Sequence, residues 1–254
     1  MPIILAMDGP SGAGKSSTSK AIAKRAGWNY LDTGALYRGA TWLAMQNNLT
    51  NAVDVINALE KNELLFNPDP NKPSLKCGKV DITEAIRNEE VTAKVSTFAA
   101  MPELRELLVS LQRKIIGEAE RGIVVEGRDI GSVVAPSAQL KIYLTADLEA
   151  RAKRREAELN VDKDLSQSLA TRDEKDSTRK VSPLEKAIDA VEVDSTELSL
   201  EETVDLIWEL LKERQLLGLP IAQRAMTITD CNPFRFLDNC NQLTMCQRKQ
   251  AIVL

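Results

Sequence analysis

The feature that most constrains this fold is the start of the chain, where an apolar run leads through a glycine-rich turn into a helical pattern. Residues 3–7 read IILAM, residues 9–16 read GPSGAGKS, and helical spacing then runs from about Lys15 to Ala26, before Gly27. Further short apolar runs follow, each before helical or loop sequence: WNYL, GIVVEG, LKIYLTA and AVEVDS. Alternation of this kind predicts an α/β fold with a parallel sheet covered by helices on both faces.

Length and charge limit the classes of function. The chain has 254 residues, of which 43% are hydrophobic, so it can bury a large core, and we expect one domain with insertions. A net charge of −4 argues against a protein that coats nucleic acid by bulk electrostatics. No apolar run approaches the roughly 18 residues of a membrane span, and the N-terminus does not resemble a secretory signal. We therefore expect a cytoplasmic protein with no membrane or nucleic-acid partner.

Two side-chain types restrict the chemistry. The sequence contains no histidine, which excludes imidazole bases and histidine-ligated metals. Its four cysteines form no C-x-x-C pair, so we predict free thiols at Cys77, Cys231, Cys240 and Cys246.

Three segments interrupt the alternation. Residues 67–83 are rich in Pro, Asn and Gly and predict loops with a small β-hairpin. Residues 150–180 are mostly charged and predict a helical flap, and a polar tail follows an amphipathic helix at about 199–217. We therefore predict a domain at 1–216, with an insertion at about 61–95 and a flap at about 150–180, and an extension at 217–254.

The glycine-rich turn, called the phosphate loop below (residues 9–16), fits the pattern G-x-x-x-x-G-K-[ST] without a mismatch. Glycine lets bare backbone N–H groups wrap a β-phosphate at the N-terminus of the following helix. Lys15 would reach the β- and γ-phosphates of a bound nucleotide, and the Ser16 hydroxyl would bind Mg²⁺. The alternative is an ordinary glycine turn capped by serine. The predicted nucleotide-binding residues are Gly9, Pro10, Ser11, Gly12, Ala13, Gly14, Lys15, Ser16 and Ser17.

Arginines recur where an acceptor would bind. DTGALYR (32–38) and EGRDIG (126–131) each follow a predicted strand, and ligands bind at strand ends on one edge of an open α/β sheet. Arg172, Asp176 and Arg179 have the spacing of one helix face, which would present two guanidinium groups around a carboxylate. The alternatives are a surface ion pair at Arg128 and Asp129, and a solvated helix with internal salt bridges.

Six segments, in order, resemble the bacterial cytidylate kinase family of P-loop nucleoside monophosphate (NMP) kinases: GPSGAGKS, LDTGALYR, VSTFAAMPELR, EGRDIGSVV, RDEKDSTRKVSPL and VDSTELSLEE. The resemblance covers roughly residues 2–216. It implies a three-layer P-loop NTPase fold with a parallel sheet, an inserted NMP-binding subdomain and a helical lid. It also implies transfer of the γ-phosphoryl group of ATP to CMP and dCMP with Mg²⁺, in pyrimidine metabolism, and we expect a monomer.

The resemblance also implies roles for individual residues. The residues expected to hold the acceptor phosphate and the transferring phosphoryl group are Arg38, Arg128, Arg172 and Arg179. The residues expected to contact cytosine are Thr33, Ser96, Arg105 and Asp129. Asp176 would contact the ribose, and Glu126 would serve Mg²⁺ through water. Three positions depart from the family pattern: threonine replaces the usual serine at 33, serine replaces a frequent glycine at 16, and glutamate replaces the usual aspartate at 126.

The implied chemistry needs no general base, because the attacking phosphate oxygen is already anionic near neutral pH. Catalysis would rest on positioning and charge stabilisation by Lys15, Arg128, Arg172 and Arg179. Two alternatives stay open at this point. One is a P-loop kinase for another small acceptor, such as UMP or a non-nucleotide acid. The other is a nucleotide-binding regulatory module that has lost catalysis.

Overall fold

A computed structural model describes residues 1–159, 165–179 and 183–217. Its main sheet has the strands β1 (Ile3–Asp8), β2 (Asn29–Asp32), β6 (Gly122–Glu126), β7 (Leu140–Thr145) and β8 (Val191–Asp194). The strand order is β2-β6-β1-β7-β8, and each neighbouring pair is parallel. The predicted α/β fold with a parallel sheet is therefore confirmed.

The register of the sheet brings three carboxylates to one edge. Met7 of β1 and Asp32 of β2 both pair with Glu126 of β6, so Asp8, Asp32 and Glu126 lie where neighbouring strands end. All five residues of β6 are buried, as expected for an interior strand of a parallel sheet. The carboxyl edge of this sheet is where the fold places a ligand.

Eight α-helices surround the sheet in the described part of the chain. They are α1 (Lys15–Ala26), α2 (Thr33–Gln46), α3 (Ala52–Lys61), α4 (Glu89–Ala99), α5 (Pro102–Gly117), α6 (Leu148–Leu159), α7 (Ser166–Ser177) and α8 (Leu200–Glu213). The predicted bounds of α1 are confirmed, with Gly27 as its left-handed C-cap. Asp32 caps α2 by accepting a hydrogen bond from the Ala35 amide at 3.0 Å. None of the described helices is both long and apolar enough to span a bilayer.

The predicted end of α8 is wrong. The helix was expected to continue to about residue 217, but it ends at Glu213. The cause is local, because Gln215 has a φ of 54°, in the left-handed region that terminates a helix. The start of α8 is set by a reciprocal capping box between Ser199 and Glu202.

The segment between α3 and α4 forms a small antiparallel sheet. Its strands are β3 (Leu64–Asn67), β4 (Ser74–Cys77) and β5 (Val80–Asp81), one strand more than the predicted hairpin. Leu64, Leu75 and Ile82 are buried in the same apolar cluster as Leu36 of α2. A short 3-10 turn at Ala85–Arg87 then leads into α4. The insertion therefore packs on the helix that follows β2.

We expect Leu36→Ala to lower the free energy of unfolding by about 2–5 kcal/mol, because the side chain is fully buried and its removal leaves a cavity. Leu206→Ala is the matched control, since Leu206 is 45% exposed on α8, and it should cost less than about 1 kcal/mol. Urea unfolding followed by circular dichroism measures both. Equal losses for the two variants would contradict the assignment of Leu36 to the core.

Candidate active site

A cavity of about 500 Å³ opens at the carboxyl edge of the sheet. Predicted site residues that line it are Ser11, Gly12, Ala13, Gly14, Lys15, Ser16, Ser17, Thr33, Arg38, Ser96, Arg105, Glu126, Arg128, Asp129, Arg172, Asp176 and Arg179. Of the predicted residues, Gly9 and Pro10 are not among its lining. They contribute their carbonyl oxygens instead, to Arg128 and Lys15 respectively.

The phosphate loop follows β1 so tightly that two of its glycines are required. Gly9 has a φ of +144°, and a Cβ built there would lie 2.0 Å from the Leu144 carbonyl oxygen. Gly12 has a φ of +81°, and its Cβ would lie 3.0 Å from both Cβ and the carbonyl oxygen of Arg151. Both conformations are strained for any residue with a side chain. The loop is therefore pressed between β7 on one side and α6 on the other.

Lys15 lies at the bottom of the cavity. Its side chain is buried, and Nζ donates a hydrogen bond to the Pro10 carbonyl at 2.6 Å. Burial lowers the pKa of Lys15, and the nearby positive charge of Arg128 lowers it further. A polyphosphate beside Nζ would favour the charged ammonium form, so anion binding and protonation of Lys15 are coupled.

Glu126 accepts hydrogen bonds on both carboxylate oxygens. The Ser16 hydroxyl donates to Oε2 at 3.0 Å, and the buried Tyr30 hydroxyl donates to Oε1. Burial raises the pKa of Glu126, and the neighbouring carboxylate of Asp32 raises it further. No cluster of three or more acidic, histidine or cysteine ligands occurs within the residues that the structure describes. The set of one hydroxyl and nearby carboxylates suits Mg²⁺, which keeps several waters and binds few protein oxygens.

Arg128 connects the phosphate loop to α7. Its Nη1 donates to the Gly9 carbonyl at 2.7 Å, and its Nε donates to Asp176 Oδ2 at 2.9 Å. Arg179 Nε donates to the Asp176 carbonyl at 3.2 Å. The prediction that Arg172, Asp176 and Arg179 share one helix face is wrong for Arg179, because α7 ends at Ser177. Arg179 nevertheless lies 3.9 Å from the Asp176 carboxylate.

Several buried guanidinium nitrogens at this cavity have no hydrogen-bond partner among the described residues: Arg105 Nε, Arg172 Nε and Arg179 Nη2. Buried polar groups are usually paired, so three unpaired donors on side chains that line one cavity suggest that a ligand completes this site. Burial lowers the pKa of Arg172, and repulsion from Arg128 adds to this. An anion placed between these side chains would relieve that repulsion.

The far end of the cavity is built on α2, α4 and α5. Arg105 forms a buried ion pair with Asp129, donates to the Ala99 carbonyl at 3.1 Å and stacks 5.2 Å from the Tyr37 ring centre. Thr33 Oγ1 donates to the Glu126 carbonyl at 2.7 Å. Arg38 donates to Thr92 Oγ1 at 2.7 Å. These contacts hold the polar groups in place before any ligand binds.

Sequence reasoning missed several residues that the structure places here. Arg87, Arg154 and Arg155 also line the cavity. Arg87 forms an ion pair of 2.8 Å with Asp32, and Arg154 donates to Ser195 Oγ at 3.1 Å. Arg87 lies in a turn that carries no strand-end motif, and Arg154 belongs to a run of charges typical of a solvated helix. Only the excess of arginine in these segments could have suggested them.

Asp8, also missed, fixes the loop that carries Arg128 and Asp129. Its buried carboxylate accepts hydrogen bonds from the amides of Ile130 at 2.8 Å and Gly131 at 2.7 Å. Burial outweighs these hydrogen bonds and raises the pKa of Asp8 to about 6. The last residue of β1 therefore positions the arginine loop that follows β6.

A glycine turn between strand and helix, facing a group of arginines across one cavity, defines a P-loop phosphotransferase. The sequence model of the cytidylate kinase family matches residues 5–213. The chain belongs to the cytidylate kinase family, whose members are ATP-dependent phosphotransferases.

Curated relatives named cytidylate kinase match this chain over nearly their full length. A cytidylate kinase of Streptomyces avermitilis is 47% identical over 217 residues, covering 84% of this chain and 94% of that protein. One from Streptomyces griseus is 48% identical over 219 residues, with the same two coverages of 84% and 94%. One from Streptococcus thermophilus is 45% identical over 221 residues, covering 83% of this chain and 96% of that protein.

Asp8→Asn should change how stability depends on pH. The pKa of Asp8 is about 6 in the folded protein, whereas an exposed aspartate in the unfolded chain has the ordinary value of 3.8. The contribution of Asp8 to the free energy of unfolding is therefore greatest below pH 3.8. That contribution is lost as the pH rises through 6, whereas asparagine does not titrate. The wild-type free energy of unfolding minus that of the variant should therefore be larger at pH 5 than at pH 7.5, by about 1 kcal/mol.

Urea unfolding of both proteins at the two pH values measures this difference. The exposed Glu106→Gln serves as the control for removal of one carboxylate. A pH-independent difference between wild type and Asp8→Asn would show that Asp8 does not titrate as its burial implies.

Proposed function

We propose that this chain transfers the γ-phosphoryl group of ATP to CMP, and also to dCMP, giving ADP and the corresponding diphosphate. The observation that carries the proposal is that the phosphate loop and Arg38, Arg128, Arg172 and Arg179 line one and the same cavity. The names of the relatives support CMP as the acceptor. The lapsed regulatory module is disfavoured because Lys15, Ser16 and these four arginines are all present.

The proposed mechanism relies on placing two polyanions together. Loop amides at the N-terminus of α1 and the Lys15 ammonium would hold the β- and γ-phosphates of ATP. The acceptor phosphate needs no deprotonation, and Arg38, Arg172 and Arg179 would offset its charge. Arg128 would stabilise the transferring phosphoryl group, and its hydrogen bonds to both the phosphate loop and α7 support this role.

The Ser16 oxygen would hold Mg²⁺, and Glu126 would act on the metal through water. Ser16 donates its proton to Glu126, which leaves the lone pairs of Oγ free to face a cation. Tyr30 holds the other carboxylate oxygen and so fixes the orientation of Glu126. Bound Mg²⁺ would neutralise charge on the phosphates of ATP.

The acceptor base would lie among Thr33, Ser96, Arg105 and Asp129. The Watson–Crick edge of cytosine has an amino donor and two acceptors, so it needs both a carboxylate or hydroxyl oxygen and an N–H donor. Asp129 would offer a carboxylate oxygen. Thr33 would offer its hydroxyl oxygen as an acceptor, because its proton is already donated to the Glu126 carbonyl. Arg105, which also lines the cavity, would offer guanidinium N–H groups. Asp176, which Ser96 approaches at 3.5 Å, would take the ribose.

Helices α6 and α7 would form the lid over residues 150–180, and the insertion at about 61–95 would complete the acceptor side within the domain at 1–216. Closure of the lid would exclude water from the γ-phosphate. Residues 160–164 and 180–182 of the predicted lid region lie outside the described residues. So do Cys231, Cys240 and Cys246, together with all but the first residue of the predicted extension. A monomer in the cytoplasm would suffice, because one chain supplies every side chain used here.

Arg128→Ala should lower kcat for CMP phosphorylation at least a hundredfold, which corresponds to about 2.7 kcal/mol of transition-state stabilisation. The reason is the loss of the guanidinium that joins the two halves of the cavity. Arg121→Ala, an exposed arginine beyond the described cavity, is the control and should keep full turnover. A loss below fivefold in a folded Arg128→Ala protein would remove Arg128 from the mechanism.

Release of ADP, measured by a coupled assay with CMP, dCMP, UMP and AMP, tests the activity and the acceptor together. We expect CMP and dCMP to support turnover with Mg²⁺ and to lose it when the metal is withheld. Ser16→Ala should raise the Mg²⁺ concentration that gives half-maximal rate. Turnover with UMP alone would replace the acceptor proposed here, and no turnover with any acceptor would favour a regulatory module.

A further inference from the structure

Helices α6 and α7 contact the phosphate loop through one ion pair that the proposed chemistry does not use. Arg151 of α6 and Asp173 of α7 form this pair, and neither belongs to the cavity lining. The Ser11 amide donates to Asp173 Oδ1 at 3.2 Å, and Arg151 Nη1 donates to the Ser11 carbonyl at 3.1 Å. Both backbone polar groups of one loop residue are therefore satisfied by the two charged side chains.

The contact is partly shielded from solvent. The side chain of Arg151 is 10% exposed and that of Asp173 is 19% exposed. Arg151 Nε also donates to the Ala146 carbonyl at 3.0 Å, which ties the guanidinium to the end of β7. Because charge-assisted hydrogen bonds strengthen when shielded from water, this cluster resists separation more than a surface pair does.

The position of Asp173 within α7 links this contact to the orientation of the cavity side chains on the same helix. Asp173 directly follows Arg172 and lies three residues before Asp176, so holding it restricts rotation of the helix about its axis. Asp176 contacts Arg128, and Arg172 lines the cavity. A shift of α7 would carry both side chains away from the phosphate loop, and catalysis is sensitive to displacements of about 1 Å.

We propose that Arg151 and Asp173 are positioning residues that fasten the lid helices to the backbone of Ser11 and so set Arg172 and Asp176 against the phosphate loop. This inference rests on the proposed phosphotransfer. Neither residue lines the cavity, so both would act through the helices that they hold. Weakening the contact should therefore slow phosphoryl transfer and admit water, while the protein stays folded.

Asp173→Asn tests the proposal with little change of shape. The amide removes the negative charge that pairs with Arg151 and turns an N–H₂ group toward a donor. We expect kcat to fall at least tenfold, with a smaller change in KM for ATP, and ADP formed without CDP to rise as a fraction of turnover. Glu174→Gln, on the exposed side of the same helix, makes the same change of charge and should leave both quantities as in the wild type.

Hydrogen exchange of the Ser11 amide, read by NMR on the full chain without nucleotide, gives a measurement that does not depend on activity. The wild-type amide should be protected, and Asp173→Asn should speed its exchange at least tenfold, whereas Glu174→Gln should not. An Asp173→Asn protein with wild-type kcat, an unchanged ratio of ADP to CDP and unchanged exchange at Ser11 would overturn the proposal.

Arg151→Lys is the second variant, for use if Asp173→Asn does not fold. Lysine keeps the charge but cannot serve Asp173, Ser11 and Ala146 together, so the same losses are expected; wild-type values would count against the proposal. If wild-type protein fails to phosphorylate CMP, the proposed function fails, and exchange at Ser11 still reports whether the contact holds the loop.

Discussion

Crowding of positive charge around one cavity is the constraint on which the rest of this structure depends. Burial, and to a lesser extent repulsion from neighbouring arginines, lowers the pKa of Arg38, Arg172 and Arg179 at this cavity. The carboxylate of Asp176 offsets part of this positive charge. Burial alone would raise its pKa, but Arg128, Arg179 and Arg172 together hold that pKa below its ordinary value. A carboxylate at this position is therefore part of the electrostatic frame as well as a candidate contact for the ribose.

The second element of the frame is the carboxyl edge of the sheet, where Asp8, Asp32 and Glu126 end adjacent strands. Each of these carboxylates has a separate set of donors: loop amides for Asp8, Arg87 and a helix N-terminus for Asp32, and two hydroxyls for Glu126. Because each is satisfied differently, the three acids orient three different parts of the site. They position the arginine loop, the start of α2 and the hydroxyl of Ser16.

The local parts of this architecture could be predicted from the sequence. The glycine pattern gave α1 and its bounds, because Gly14 and Gly27 punctuate it at both ends. Motifs at the ends of β2 and β6 correctly indicated side chains that converge, since parallel strands share an edge. The third strand of the insertion and the early end of α8 were missed, because each depends on the backbone conformation at a single residue, Gly78 or Gln215.

Long-range contacts were beyond sequence reasoning. Ser11 and Asp173 are 162 positions apart, and Asp8 and Gly131 are 123 apart. Neither Asp173 nor Asp8 stands in a pattern that marks it, since one lies in a charge-rich helix and the other at the end of an apolar strand. Only the folded arrangement shows that these acids hold backbone amides of distant loops.

The central position of β1 in the sheet has a consequence for the order in which parts of the molecule unfold. It is hydrogen-bonded on both sides, to β6 and β7, and central strands of this kind are expected to be among the last segments to open. The phosphate loop follows this strand directly. Arg172 and Asp176 belong instead to a peripheral helix with few apolar residues in its core contact, of which Leu169 is buried. Low concentrations of denaturant should therefore abolish turnover while the phosphate loop still binds a nucleoside triphosphate. Loss of turnover would then precede global unfolding and would not measure it.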